Sequence, residues 1–398
     1  MTDTLLDELL SKPVGPAVPT RQVDPDRDYT RQIEVSGDAA EVTVRGPAEM
    51  DPKGTAATVL RSQGLDPEQW EVKGFRSSEW TMPNGETGLS TRFSFARCAV
   101  LPDDERPDIA ELLQAVETYE PRWPAAGLPQ GDHSLVVALG DMQFGKLDGD
   151  GPAGTLQRTI HCLNRAADLL EVYRRRFPIG HVHVAWLGDH IEGFQSQGGA
   201  NAWRTQLTLT EQIRLTRRVM LHAAMTMAPL AERVTMAAVP GNHGEAVRFA
   251  GRGVTRYDDS HDTEALISVR DALELNPELY GHVECYVPDT DELTVVVDCS
   301  GSAVAHAHGH QWRPGKHWEW WRGQAFNKES AMHHADVLLA GHLHHEFVDT
   351  DGPRTFIQPP AMESESTWWR HAKGTTGAPG LVVAVTKDGQ VPVKEVVR

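Results

Sequence analysis

Three histidines within four residues follow a short apolar run in Val337-Leu338-Leu339-Ala340-Gly341-His342-Leu343-His344-His345. Imidazoles at that density are costly to bury for packing alone, because each ring N–H needs a partner. Alternate residues of an extended segment share a side, so His342 and His344 can reach one site. The same grammar, an apolar strand ending in glycine or a polar residue, occurs at four earlier places. They are Gly140-Asp141-Met142-Gln143-Phe144-Gly145, Gly188-Asp189-His190, Gly241-Asn242-His243-Gly244-Glu245 and His306-Ala307-His308-Gly309-His310. Nine of the 19 histidines fall between His306 and His345, so coincidence is a poor account of the pattern. Asp, Asn, Gln and His together, without a thiolate, make the donor set of a divalent ion of the Mn, Fe, Zn or Ni kind. In α/β sheets ligands collect outside the carboxyl ends of strands, and all five segments fall there.

Those strand ends need a scaffold. From Ser134 onward, strand-like and helix-like segments alternate, which predicts a layered α/β domain over 132–398. Strands are expected at Leu135–Leu139, Val182–Leu187, Val234–Val239, Leu293–Cys299, Ser302–Ala307, Val337–Ala340, Thr355–Gln358 and Leu381–Val385, with amphipathic helices at Thr155–Phe177, Thr208–Met227 and Asp262–Leu273. Ahead of it, residues 1–30 are rich in Pro, Asp and Thr and read as a loose arm. Residues 31–100 read as a small α+β module: a strand pair around Ile33, Val35, Val42 and Val44, a helix at Ala56–Gln63, then strands at Trp70–Val72 and Thr91–Phe95 on either side of a Pro83-Asn84-Gly85 turn. Residues 101–131 read as a linker, with an acidic helical piece at Ile109–Thr118 and a Pro-rich run at Pro121-Arg122-Trp123-Pro124.

Composition bounds the function classes. The 398 residues are 40% apolar and 24% charged, ordinary for a globular protein large enough for more than one folded unit. No apolar run approaches the roughly 20 residues that span a bilayer. The first residues, Met1 to Glu8, lack the basic and apolar regions of a secretory signal, so a cytoplasmic location without membrane contact is expected. Cys98, Cys162, Cys285 and Cys299 form no C-x-x-C pair, which argues against a disulfide framework or a thiolate zinc site. A formal charge of -18 opposes a broad electrostatic grip on nucleic acid. Bound divalent cations would offset part of it where a phosphate must sit.

The ordered set D-x-Q, G-D-x-x-E, G-N-H-G-E, H-G-H and G-H-x-H resembles the calcineurin-like metallophosphoesterase superfamily, including its DNA-repair-exonuclease-like members encoded by bacteriophages. The likeness runs from Ser134 to the C-terminus and leaves the N-terminal module outside. It implies a four-layer αββα sandwich around two divalent metal ions, Mn2+ foremost, with Mg2+, Fe2+, Zn2+ and Ni2+ as alternatives. Carried over by position, the resemblance makes Asp189 the bridge between the ions. Asp141, Gln143 and His344 would complete the first ion's shell, and Asn242, His308 and His342 the second's. His243 would be the catalytic imidazole. It also implies a hydroxide held between the ions that attacks phosphorus in line. Two departures stand out: the extra Gly244 before Glu245, and Gln143 where most members place a histidine. An amide oxygen is a harder, neutral donor that favours Mn2+ or Mg2+ over Zn2+.

Around this set, His306 and His310 flank His308 and are expected to orient ligands, as are Glu192 and Glu245 as acceptors for imidazole N–H groups. Arg248, Arg252 and Arg256 could clamp a phosphate oxygen. Trp312, in the Trp- and Arg-rich stretch Gln311 to Arg322, could stack on a base, although tryptophans at helical spacing more often pack a helix onto a core. The expected activity is phosphoester hydrolysis, foremost a phosphodiesterase acting as a DNA nuclease or exonuclease. The alternatives are a small-molecule or phosphoprotein phosphatase, a cyclic-nucleotide phosphodiesterase, or an inert metal-binding scaffold. Expected partners are a phosphoester, nucleic acid or nucleotide, and a further copy of the chain.

Overall fold

In the computed structural model, residues 31–36, 39–47, 57–61, 65–67, 70–81, 87–97, 106–117, 121–194, 205–247, 255–364, 374 and 377–398 are described. The chain divides into two units, Met1–Val100 and Leu101–Arg398. The expected arm at 1–30 lies outside the described residues.

The first unit is an antiparallel sheet of β1 (Arg31–Ser36), β2 (Ala39–Pro47), β3 (Trp70–Thr81) and β4 (Thr87–Arg97), in the order β1-β2-β4-β3. Its small core joins Val42, Trp70, Phe93 and Phe95 to Val59 and Leu60 of the helical residues 57–61. Two strands run well past their predicted ends. The polar stretch Arg76-Ser77-Ser78-Glu79 carries no apolar alternation, but its backbone is paired with β4 through a bulge at Val72/Gly74.

The second unit is built on two sheets. One holds six strands in the order β15-β14-β5-β6-β7-β8, where β5 (His133–Leu139), β6 (Ile179–Trp186), β7 (Arg233–Ala238) and β8 (Val283–Tyr286) are parallel. Its other strands, β14 (Leu381–Lys387) and β15 (Gln390–Val397), are antiparallel. The second sheet runs β12-β13-β11-β10-β9, from β9 (Val295–Cys299), β10 (Ser302–Ala307), β11 (Val337–Ala340), β12 (Phe347–Asp351) and β13 (Arg354–Gln358).

Strand alternation decides which layer each residue joins. Leu135, Val137 and Leu139 of β5 face the helices Gly151–Arg174, Leu209–Met227 and His261–Leu273 in one core. Their neighbours Val136 and Ala138 face the other sheet, meeting Val304, Leu339 and Ile357 in a second core. Outside that sheet, Ala305, Leu338 and Phe356 pack against Trp321 and Ala325 of the helix His317–Phe326. The layers therefore run helices, sheet, sheet, helix: the four-layer αββα sandwich. The predicted linker carries the helix Ile109–Glu117, whose Leu112 and Val116 are buried in the first of these cores, so that segment belongs to the second unit.

A polar seam crosses the interior between the sheets. His306 Nδ1 lies 3.1 Å from the Val295 carbonyl, which can only accept, so this nitrogen carries the proton. His306 Nε2 then accepts from His183 Nε2 at 2.7 Å. His183 Nδ1 accepts from the Thr235 hydroxyl, which accepts from His181 Nε2, both at 2.7 Å. His181 Nδ1 accepts from Ser134 at 2.8 Å, and Ser134 meets Ser300 at 2.7 Å. The chain closes in one sense only, with all three rings neutral. Burial agrees: it pushes His181 down to about 3 and His306 to about 4, and holds His183 well below its ordinary value.

Candidate metal centre

Eight described non-glycine residues have positive φ, and five of them are predicted ligands: Asp141 (52°), Gln143 (42°), Asp189 (52°), His342 (72°) and His344 (57°). The left-handed region costs an L-residue roughly 1–2 kcal/mol, and such strain gathers where a side chain must be aimed. Each of these residues follows an apolar strand, β5, β6 or β11, and turns its side chain across the sheet ends. The loops lie so close that Gly188 (φ 84°) would drive a Cβ to 2.8 Å from both Gly241 N and His308 Nδ1. At Gly241 a Cβ would stand 2.0 Å from Asp189 Oδ1.

Asp189, His308 and His342 each offer one donor atom, and these atoms lie within 4.8 Å of one another. His308 Nδ1 donates to the Leu187 carbonyl at 2.7 Å, which aims Nε2 inward. That atom is 3.0 Å from Asp189 Oδ2 and 3.2 Å from His342 Nδ1. Electron-rich atoms converge so closely only around a positive charge. Asn242 Oδ1 is also buried with no hydrogen-bond partner, as an awaiting ligand would be. This half fits a divalent ion. Without one, a proton serves: burial opposes it, but Asp189 outweighs burial and raises His308 to about 9.

The other half centres on Asp141, fully buried. Its Oδ2 accepts from the His342 backbone N–H at 2.8 Å, and its Oδ1 has no hydrogen-bond partner and stands 3.3 Å from His344 Nε2. Burial alone would raise the Asp141 carboxyl, but His344 and His308 hold it below the ordinary range. His344 Nδ1 lies 2.9 Å from Glu363 Oε1, the arrangement by which a carboxylate fixes a ligand's tautomer. Gln143 differs. Its Oε1 accepts from Lys146 Nζ at 2.9 Å, and that ammonium lies 3.2 Å from Glu363 Oε1.

His243 is tied to Asp189 by its backbone N–H, which donates to Asp189 Oδ1 at 2.7 Å. Its Nδ1 donates to the Glu192 carbonyl at 3.0 Å and lies 3.4 Å from Glu192 Oε2. Burial disfavours charge on this ring, yet Asp189 and Glu192 prevail and push it up to about 9.

Other predicted residues are placed less uniformly. The His310 ring lies against His308 and His342, at 5.4 and 6.2 Å. Glu192 Oε2 lies 3.4 Å from His243 Nδ1, and the Glu245 backbone forms a bridge with Ser260. His306 does not orient a ligand: both its nitrogens are engaged in the inter-sheet seam. Trp312 is a correction as well. It is 8% exposed, packed at 4.5 Å on Trp320 and edge-on to Phe356, so its ring belongs to the outer core instead of offering a stacking face. Arg256 is exposed and paired with Asp258 at 2.9 Å, while Arg248 and Arg252 lie outside the described residues.

Three residues of the site escaped the sequence reading. Asp262, which the sequence placed only at the start of a helix, is fully buried, and its carboxylate accepts from the backbone N–H groups of Asp189 (3.0 Å), His190 (2.9 Å) and Gly241 (2.9 Å). It ties two ligand loops to one helix N-terminus. Glu363 is carried in by Met362 and Glu363 N–H bonds to the carbonyls of Gly140 and Asp141. Lys146 had a faint signal, being three residues past Gln143 in the same turn.

No protein-family model matches the chain, and no curated protein does. Among solved structures, it is similar to Vacuolar Protein Sorting 29 from Cryptosporidium parvum: 15% identity over 67% of this chain and 98% of that one, TM-score 0.31. A novel archaeal phosphodiesterase matches at 12% identity over 66% and 99%, TM-score 0.31. A conserved protein from Streptococcus pneumoniae, titled a predicted phosphoesterase, matches at 12% over 67% and 97%, TM-score 0.27. At such scores the likenesses carry no weight of their own. The ordered motifs and the four layers do: this chain resembles the calcineurin-like metallophosphoesterases.

Proposed function

We propose that the second unit is a metal-dependent phosphoester hydrolase. One observation carries this: donor atoms of Asp189, His308 and His342 lie within 4.8 Å of one another, Asp141 Oδ1 stands 3.3 Å from His344 Nε2, and the Asp141 Oδ1 and Asn242 Oδ1 oxygens are buried without a hydrogen-bond partner. A divalent ion held there supplies Lewis-acid polarisation of a phosphoryl oxygen and of water. The chain's own residues do the rest. Asp189 fixes the His243 backbone, and the Glu192 carbonyl accepts the hydrogen bond from Nδ1–H, so His243 would offer its Nε2 proton to the departing oxygen. Asp262 keeps the ligand loops from spreading when a charged substrate arrives.

Within that class we read the substrate as a phosphodiester and the protein as a DNA nuclease. In support, the separate N-terminal unit sets Arg76 directly opposite Arg92, both exposed, a pairing of like charges suited to an anionic strand. The charge of -18 and the buried Trp312 favour the alternative, a phosphatase or cyclic-nucleotide phosphodiesterase. The test is a panel: chelator-stripped protein with Mn2+ restored, given single- and double-stranded DNA, bis-p-nitrophenyl phosphate, p-nitrophenyl phosphate and a cyclic nucleotide. Turnover of the monoester alone sinks the diesterase reading, and no turnover of any substrate leaves an inert metal-binding scaffold. His243→Ala is expected to lose turnover while keeping its metal.

A further inference from the structure

Resting on the metal-centre reading above, we propose that Lys146 supplies a fixed positive charge in the Asp141 half of the site, so that the chain holds one divalent ion tightly and a second weakly. The tight ion belongs to Asp189, Asn242, His308 and His342. In the other half Gln143 is a tether for Lys146 before it is a metal ligand.

The geometry is specific. Lys146 is 9% exposed, and its Nζ lies 2.9 Å from Gln143 Oε1 and 3.2 Å from Glu363 Oε1. An ion coordinated by Gln143 Oε1 at about 2.1 Å would stand within about 5 Å of that ammonium, both positive and poorly screened by water. Charge balance points the same way. One divalent ion and the Lys146 ammonium together match three of the four carboxylates of Asp141, Asp189, Asp262 and Glu363, while Glu192 lies against the His243 ring. A second divalent ion would leave the group net positive.

The departure at Gln143 also becomes intelligible. A ring nitrogen that ligates a metal has no lone pair left for a lysine, whereas an amide oxygen accepts an N–H donor readily. Gln143 and Lys146 make a pair, three residues apart in one turn whose register is set by the Lys146 N–H to Gln143 carbonyl bond of 3.0 Å. Glu363 links the pair to His344, so the ammonium also bears on the ligand's tautomer.

The experiment is a metal count on the full chain. Stripped protein is loaded with Mn2+, desalted, and measured for bound metal, and the same samples are titrated calorimetrically and examined by electron paramagnetic resonance. The expected result is one retained equivalent with the uncoupled signal of a mononuclear ion, and a second equivalent that binds on the order of 100-fold more weakly. Lys146→Met is expected to tighten the weak equivalent at least roughly tenfold, and Gln143→His with Lys146→Met to retain two ions with a coupled signal. Two retained equivalents in the unaltered protein overturn the inference and leave the hydrolase reading intact. No binding at any concentration overturns both. A Lys146→Met protein that folds, by circular dichroism, yet loses affinity for the second ion shows the lysine to be a support, and overturns the inference too. Should that variant not fold, the count on the unaltered protein decides alone.

Discussion

Acid should weaken this protein through the seam of neutral histidines between its sheets, and His181 allows the effect to be worked out. Its folded pKa is depressed to about 3 from an ordinary 6.5, first by burial and then by Arg233. A depressed histidine contributes stability above its unfolded pKa and loses it as pH falls, because the unfolded chain takes up a proton that the folded one refuses. At about pH 5 the loss is about 2 kcal/mol for His181, since each pH unit below 6.5 costs about 1.4 kcal/mol. His183, held down by burial, His306, His181 and Arg233, follows with the same sign. His243, His308 and His344 run the other way, because their raised values add stability below 6.5 that disappears as pH climbs through about 9 to 10. The raw pH profile is thus a sum of opposing terms, and a difference is needed. His181→Gln provides it: the amide can accept from Ser134 and donate to Thr235 as the ring does, but it does not titrate. Urea unfolding with chelator present, at about pH 7.5 and 5, should show the unaltered protein losing about 2 kcal/mol more than the variant. Parallel losses would refute the neutral, one-directional seam.

Asp262→Ala strands three buried backbone donors and should destabilise the second unit by about 3 kcal/mol or more, read by thermal unfolding in chelator, with Mn2+ affinity falling as the ligand loops part. Gly241→Ala places a methyl against Asp189 Oδ1 and should weaken Mn2+ binding by at least roughly tenfold in a calorimetric titration; unchanged affinity would mean the loops do not need their close approach. Trp312→Ala should cost about 3–5 kcal/mol in urea unfolding, with no selective loss of DNA affinity, because its ring fills the outer core beside Trp320 and Phe356.

Much of the fold was legible because its strands are short apolar runs that stop at glycine. Predicted Val337–Ala340 and Ser302–Ala307 coincide with β11 and β10, and predicted Asp262–Leu273 starts one residue inside its helix. The edge strands were less visible. Phe347–Asp351 and Gln390–Val397 each have one face in solvent, so polar residues interrupt their apolar pattern, and only pairing with a neighbour makes them strands. The Trp-rich stretch left base stacking and core packing both open, because a tryptophan's type does not say which side of a sheet it covers. Packing against Phe356 decided that.

By itself the sequence determined the chemistry on offer. Asp141, Asp189, Asn242, His308, His342 and His344 stood out as candidate donors because each follows directly where an apolar strand ends, a pattern of local spacing. What only the tertiary structure decided is how those donors are supported and charged. Asp262 holds loops 21 and 73 residues away in sequence, and Glu363 reaches His344 from 19 residues beyond it. Lys146 becomes part of the site only when Glu363 is folded against it. Contacts of this kind have no period and no motif. They exist because two sandwiched sheets bring all their strand ends to one edge, where any buried carboxylate or ammonium must find its counter-charge among the others.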